Sequence, residues 1–308
     1  MSAAAESRRV TVGVDVGGTK TAVALVGLDG VVHDERRNPT AGSAEDGLAL
    51  VAKLIAEWQG EFDVLGVGLA TPGLVRGGVL ESAANLSGWA GVAVGPLLAD
   101  LTGRPVLVDN DGRAAAWGEF LHGAAVPGSS DLLCLTLGTG LGGGLVLQGR
   151  PYRGGGLAGE VGHMVLVPDG RLCGCGACGC WERYVSGSAL VEEAHGLGMR
   201  AAPGRALDGR SVVAAARQGD PAASTAVHNV ARSLGEGLAV VVTLLDPQTV
   251  VLAGGLSAAG DLLLPEARRA LAETVIGGRT RHLPPLRTAA LGSRAGVVGA
   301  AALAREAA

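Results

Sequence analysis

The sequence predicts an α/β protein built from two related halves. Apolar β-branched runs alternate with helix-period stretches along the 308 residues, which implies layers of sheet and helix. A strand–glycine turn–strand unit, VTVGVDV–GGTK–TAVALVGL, recurs about 120 residues later as DLLCLTL–GTGLGGG–LVLQGR. The composition supports a large core, with 48% hydrophobic and 18% charged residues and no low-complexity linker. Aromatics make up only 3%, so that core must be Ala, Val and Leu, while 52 glycines point to tight turns and close backbone approaches.

The elements follow in order. RRVTVGVDV (8–16) is a strand bounded by Gly17-Gly18, and TAVALVGL is a second, with a hairpin signal at Asp29-Gly30 before VVHDERR. Between Ser43 and Gln59, the residues Leu48, Val51, Leu54, Ile55 and Trp58 share one helical face. VLGVGLA (64–70) is a buried strand that stops at Pro72-Gly73; 94–102 is a short helix; Pro105–Val108 is a strand ending at Asp109-Asn110-Asp111, and GRAAAWGEFLHG is a helix. After a cysteine cluster at 173–180 the chain turns mostly helical, at 188–198, 209–218 and Pro221–Leu245. A strand at Gln248–Ala253 ends in Gly254-Gly255, and helices near 261–275 and 296–306 close the chain. A domain break is expected near 112. It separates a small α/β domain (1–112) from a larger one (113–295), with the C-terminal helix (about 296–308) packing back on the first.

Charge and composition narrow the function classes. A net charge of −4 gives no basic footprint for nucleic acid. No run of about 18 uncharged apolar residues predicts a membrane span, and MSAAAESRRV lacks the apolar core of a signal peptide, so a cytoplasmic location is expected.

Four motifs carry chemistry. In Asp15-Val-Gly17-Gly18-Thr19-Lys20 the glycines let backbone N–H groups approach an anion, and Thr19 and Lys20 add a hydroxyl and a positive charge. Asp15 beside a phosphate calls for a cation between them, which suggests Mg²⁺. A plain hairpin with a satisfied aspartate would read the same way. The second turn, Gly138-Thr139-Gly140-Leu141-Gly142-Gly143-Gly144, contains G-x-G-x-x-G, but the strand-like segment after it argues against a dinucleotide site. Two such turns, one per half, suit a triphosphate, with Gly254-Gly255 a third candidate contact for the nucleotide that a simple strand-to-helix turn explains equally well. Asp109-Asn110-Asp111 ends a strand where open α/β sheets bind ligands, and an aspartate there can accept a hydroxyl proton, although for the segment read alone helix capping is the favoured explanation. Finally Cys173, Cys175, Cys178 and Cys180 follow His163 by ten residues. One imidazole and three thiolates make a closed structural Zn²⁺ site, which leaves either Cys178 or His163 spare unless two metals bind; an Fe–S cluster would use the same thiolates, but nothing else in the sequence supports redox chemistry.

Together these segments resemble the ROK (repressor–open reading frame–kinase) family of sugar kinases. The matching segments are DVGGTK (15–20), TPG (71–73), NLSGW (85–89), DND (109–111), LGTGLGGG (137–144), GEVGH (159–163), CGCGACGCWE (173–182) and AGG (253–255). CWERYVSGSAL is similar to the bacterial glucokinase version. The resemblance implies a two-domain actin/hexokinase-like ATPase fold with an active-site cleft between the domains. It also implies phosphoryl transfer from Mg·ATP to the 6-hydroxyl of glucose. By the same resemblance Asp15, Gly17, Gly18, Thr19, Lys20, Gly138, Thr139, Gly140 and Gly142 would meet ATP phosphates, and Gly254 and Gly255 the adenosine. Asp111 would be the base. Gly73, Asn85, Asn110, Glu160, His163 and Glu182 would hold the sugar. His163, Cys173, Cys175 and Cys180 would hold zinc, leaving Cys178 outside the set. N-acetylglucosamine, N-acetylmannosamine and fructose kinases share the pattern, and homodimers or homotetramers are common. Sugar-sensing regulators of the same family carry an N-terminal DNA-binding domain. With the first core strand starting by about residue 9 and an acidic net charge, a regulator is not expected.

Overall fold

The computed structural model describes residues 8–58, 60–83, 85–201 and 204–306. The expected helix end at Gln59 and the last two residues of the expected C-terminal helix lie outside them. The described chain divides into two bodies. The first comprises residues up to 125, 144–159 and 290 onward; the second comprises 126–143 and 160–289.

In the first body, β1 (Arg9–Val16), β2 (Lys20–Gly27), β3 (Val32–Pro39), β4 (Asp63–Thr71) and β7 (Val106–Asn110) form a sheet of order β3-β2-β1-β4-β7. The β1, β4 and β7 strands are parallel, while β2 and β3 fold back antiparallel. The helices are α1 (Ala44–Trp58), α2 (Val94–Thr102), α3 (Asp111–His122) and, at the other end of the chain, α8 (Ala295–Ala304). A short hairpin, β5 (Leu74–Arg76) and β6 (Val79–Ser82), lies between β4 and α2.

The second body holds β8 (Leu132–Leu137), the start of β9 (Leu141–Leu147), β11 (Thr249–Ala253) and β12 (Leu286–Thr288). Strand β9 ends in the first body, where Leu145–Leu147 pair with β10 (Arg150–Tyr152). The sheet order β10-β9-β8-β11-β12 repeats the pattern of the first sheet, so the duplication read in the sequence is a duplication of topology. Helices α4 (Gly187–Gly196), α5 (Gly209–Arg217), α6 (Pro221–Leu245) and α7 (Gly260–Thr274) complete the body. Asp220 caps α6 by accepting from Ala223 N (2.8 Å), and Pro221 occupies the first turn, where no N–H is needed. No described helix is long and apolar enough to cross a membrane.

The shortage of aromatics is met by backbone-close packing. One sheet face buries Val10, Val12, Val14 and Val16 with the stripe Leu48, Val51, Leu54, Ile55 and Trp58 of α1. On the other lies α8, buried throughout its length. That helix approaches so closely that a Cβ at Gly13 would stand 1.8 Å from Val297 O, and one at Gly68 would stand 1.8 Å from Ala300 O. Gly299 of α8 meets α3 in the same way, 1.7 Å from Ala114 O. Because α3 packs on α8, the first body continues through α3 to residue 125 rather than ending near 112.

Gly68→Ala should therefore destabilise the protein by about 3 kcal/mol or more, at the upper end of overpacking costs. Gly42→Ala, where an added Cβ meets nothing within 4 Å, should change stability by no more than about 0.5 kcal/mol. Urea denaturation of the two variants beside the parent chain checks both values.

Candidate active site and metal centre

In the first body the glycine turn follows directly from β1. Gly17 N donates to Lys20 O (2.9 Å), and Thr40 secures the turn from outside, donating its hydroxyl to Gly17 O (2.6 Å) and its N–H to Thr19 O (3.1 Å). Gly18 lies against Asn85: a Cβ there would be 3.0 Å from that of Asn85. Asp15 closes β1. Burial, then the charge of Asp111, pushes its carboxyl up to about 7 against the opposing pull of Arg37. Gly296, the second residue of α8, leaves it room, since a Cβ there would be 2.2 Å from Asp15 Oδ2.

The DND segment joins β7 to α3. Asn110 caps the helix: its Oδ1 accepts from Gly112 N (2.8 Å) and Arg113 N (3.3 Å), and its Nδ2 donates to Gly73 O (3.4 Å). Asp111 is the first helical residue and accepts from Gly112 N (2.8 Å). Burial raises its carboxyl above the ordinary range, while Gly112 N–H and Arg113 pull the other way. Asp109, only 2% exposed, is held by Arg113 Nε (2.5 Å) and Arg153 Nε (2.6 Å). Arg113, Arg153 and Thr40 escaped the sequence reading. Their one visible signal was an arginine set in the alanine-rich start of α3.

The second body gathers the other residues. Gly138 N donates to Gly140 O (3.0 Å), and Gly187 N at the start of α4 donates to Gly138 O (2.7 Å). Leu141 N donates to Glu182 Oε2 (2.9 Å), and a Cβ at Gly140 would be 2.2 Å from that oxygen, so Glu182 underpins the turn. A strand, not a helix, follows the turn. Glu160 precedes a 3₁₀ turn (Val161–His163) and accepts from His163 N (3.1 Å). Gly162 lies against the start of β9, where a Cβ would meet Leu141 O at 2.0 Å. Gly254, at φ 82°, follows β11 and lies against Leu137 at the end of β8, and Gly255 opens the 3₁₀ turn Gly255–Ala259.

One ring nitrogen of His163 and the sulfurs of Cys173, Cys175 and Cys180 all lie within 4.8 Å of one another. Cys175 and Cys180 Sγ are 3.5 Å apart, and Cys173 Sγ is 3.8 Å from His163 Nδ1. A tetrahedron with bonds of about 2.3 Å places its ligands about 3.8 Å apart, so this donor set fits zinc. The exposed Cys178 stands outside the group. The Ala177 N–H and then the Cys180 thiol lower the Cys175 thiol to about 7, which favours the thiolate. The loop is seated by Trp181, fully buried, whose N–H donates to Ser233 O (2.9 Å). Glu182 follows it and brings Oε1 within 3.8 Å of Cys173 Sγ, so this one carboxylate touches both the glycine turn and the thiolate cluster.

The structure thus groups Asp15, the 17–20 turn, Asn85, Gly73, Asn110 and Asp111 in the first body. It groups the 138–142 turn, Glu160, His163, the thiolates and Glu182 in the second.

Comparison with known proteins gives concordant matches. The ROK family model matches residues 11–307. Glucokinase of Streptomyces coelicolor is 38% identical over 96% of this chain and 98% of its own length. N-acetylmannosamine kinase of Escherichia coli is 38% identical over 83% of this chain and 87% of its own. A Streptomyces griseus ROK glucokinase, solved in complex with glucose and AMPPNP, superposes with a TM-score of 0.82 at 38% identity, covering 96% and 99% of the two chains. A ROK transcriptional regulator superposes at 0.85 with 27% identity, covering 97% of this chain and 78% of its own. The fold is the two-domain actin/hexokinase-like ATPase fold. Matched by the family model over nearly its whole length, and by a glucokinase almost end to end, this chain belongs to the ROK family.

Proposed function

We propose that this chain is an ATP-dependent sugar kinase that phosphorylates the 6-hydroxyl of glucose. The observation that carries the reading is Asp111, a burial-raised carboxyl at the first position of α3, in the same body as the glycine turn at 17–20 and Asp15. A base whose affinity for protons is raised toward the working pH is better matched to abstracting one from a hydroxyl.

In this reading Asp111 accepts the proton as the sugar O6 forms its bond to the γ-phosphorus of ATP. The bond from that phosphorus to the β–γ bridging oxygen breaks, giving glucose 6-phosphate and ADP. The turn at 17–20 and the turn at 138–142 offer backbone N–H groups to the phosphates, and Lys20 adds a positive charge. Asp15, raised partly by the charge of Asp111, is a hard oxygen donor beside a second carboxylate, a pairing suited to Mg²⁺. When bound, that ion would neutralise charge on the phosphates.

Asn85, Glu160, His163 and Glu182 are the proposed sugar ligands, with Gly73 shaping the pocket wall. Asn110 is proposed to reach the sugar from its capping position. Zinc would be held by His163, Cys173, Cys175 and Cys180, stiffening the loop that carries Glu182. Nδ1 of His163 faces the thiolates, which leaves the other ring nitrogen for a sugar hydroxyl.

The glucose assignment is supported by the glucokinase relatives and by the polarity of the proposed sugar ligands. Two carboxylates and an imidazole suit a small hydroxyl at C2. A 2-acetamido group would need volume and an apolar wall for its methyl, and buried groups left unpaired cost about 1–3 kcal/mol each. The test is kcat/KM for glucose, N-acetylglucosamine and N-acetylmannosamine at saturating Mg·ATP, with glucose expected highest. A higher value for either amino sugar would reassign the substrate and leave the kinase reading in place. No turnover with any sugar would refute the kinase reading itself.

The metal assignment has its own check. Cys175→Ser should lose bound zinc, thermal stability and activity together, because a hydroxyl poorly replaces a thiolate. Cys178→Ser should keep all three. Elemental mass spectrometry of the purified variants decides the ligand set, and equal metal loss in both would overturn it.

A further inference from the structure

The chain passes between the two bodies four times, after residues 125, 143, 159 and 289. At every passage the part that belongs to the first body is fastened to α3. Near the first, Ala124 N donates to Glu119 Oε2 (2.8 Å). At the second, Gly144 lies so close to α3 that a Cβ would stand 2.4 Å from Gly112 O and 2.7 Å from Ala116 Cβ. Ahead of the third, Arg113 Nη1 donates to Gly156 O (3.0 Å) and Ala158 O (3.2 Å). At the fourth, Ala290 N (3.0 Å) and Leu291 N (2.8 Å) donate to the Glu119 carboxylate. The helix that holds all four begins at Asp111.

Glu119 is 0% exposed and Arg113 3%. The other buried positions of α3 are alanine or glycine. Burying a charge is unfavourable unless it is fully paired. Arg113 pairs with Asp109 through Nε and reaches backbone carbonyls of a passing segment through Nη1, and Glu119 takes its partners from the backbone of two others. A carboxylate that takes three N–H groups and a guanidinium that gives to two carbonyls fix where a segment lies, which apolar packing does less sharply.

We propose that Arg113 and Glu119 are positioning residues that hold three of the four connections, the first, third and fourth, in fixed register with Asp111. Arg113 sets the approach to Glu160, two residues beyond Ala158, and Glu119 sets the segments at 124–125 and 290–291. The kinetic consequence rests on the kinase reading, but the structural one does not.

The test uses the full chain with Arg113→Met, Arg113→Lys and Glu119→Gln, and hydrogen–deuterium exchange of the ligand-free protein. Freed of Arg113, the turn in which Gly156 N and Ala158 N donate to Arg153 O should open. Exchange over 155–160 should then speed up by about tenfold or more, while 121–126 and 288–292 stay protected. Glu119→Gln should produce the converse pattern. Arg113→Lys keeps a cation beside Asp109 but lacks the planar fork that reaches both carbonyls. It covers the case in which the methionine variant fails to fold, and it should still speed exchange over 155–160. In glucose turnover, Arg113→Lys should raise KM for the sugar by about tenfold with a smaller change in kcat, because misplaced ligands weaken binding first. Exchange that rises evenly across the first body, or does not rise over 155–160, would mean that the charges only fill the core. Localised exchange with an unchanged sugar KM would refute the positioning role. If the parent chain phosphorylates no sugar, the kinase reading fails and exchange alone decides this proposal.

Discussion

A buried carboxylate at the end of β7 sets the terms for the first body. Asp109 cannot be left unpaired in so dry a place, and Arg113 and Arg153 close on it from the first turn of α3 and from the loop after β10. Those contacts fix the junction between strand and helix. Asn110 can then cap the helix, and Asp111 is presented at its first position with a carboxyl raised by burial. The cap and the reactive carboxyl are therefore neighbours by construction. The same arginine that pairs with Asp109 lowers Asp111 somewhat and restrains how far burial raises it.

The second body solves a related problem with soft ligands. Four donors lie in a stretch that leaves Val165, Val167 and Leu172 exposed, and a metal held by them would add cohesion there. Glu182 links that stretch to the glycine turn, accepting from Leu141 N through one oxygen and meeting Cys173 Sγ through the other. Gly140 and Gly162 are glycines here because Glu182 and the carbonyl of Leu141 stand where their side chains would be.

Much of this was legible in the sequence because periodicity and punctuation were strong. The helix at Pro221–Leu245 begins at an Asp-Pro signal and ends with its apolar period, and both limits coincide with the structure. The paired glycine turns gave the duplication, and the repeated sheet order bears it out. The strands β5, β6, β10 and β12 escaped notice, since three or four residues carry no readable period. Strand β9 begins at Leu141, inside what read as turn, because its glycines are there for close packing against α3 and Thr136 rather than for bending. The domain limit moved from 112 to 125 for a tertiary reason, the packing of α3 on a helix nearly 200 residues away in sequence. The spare donor among His163 and the cysteines could not be chosen from spacing alone. The geometry places Cys178 outside. The partners of Arg113 and Glu119 are backbone groups, which leave no trace in residue identity.

These features meet in the proposal that Asp111 removes the proton as a phosphoryl group reaches the sugar. The most direct measurement is kcat of Asp111→Asn with glucose and Mg·ATP, taken beside glucose affinity by calorimetry. Asparagine keeps the shape and can still bond a hydroxyl but cannot take its proton. The account predicts a loss in kcat on the order of 10²–10⁴-fold with glucose affinity little changed. A variant that kept more than about a tenth of the parent kcat would contradict it.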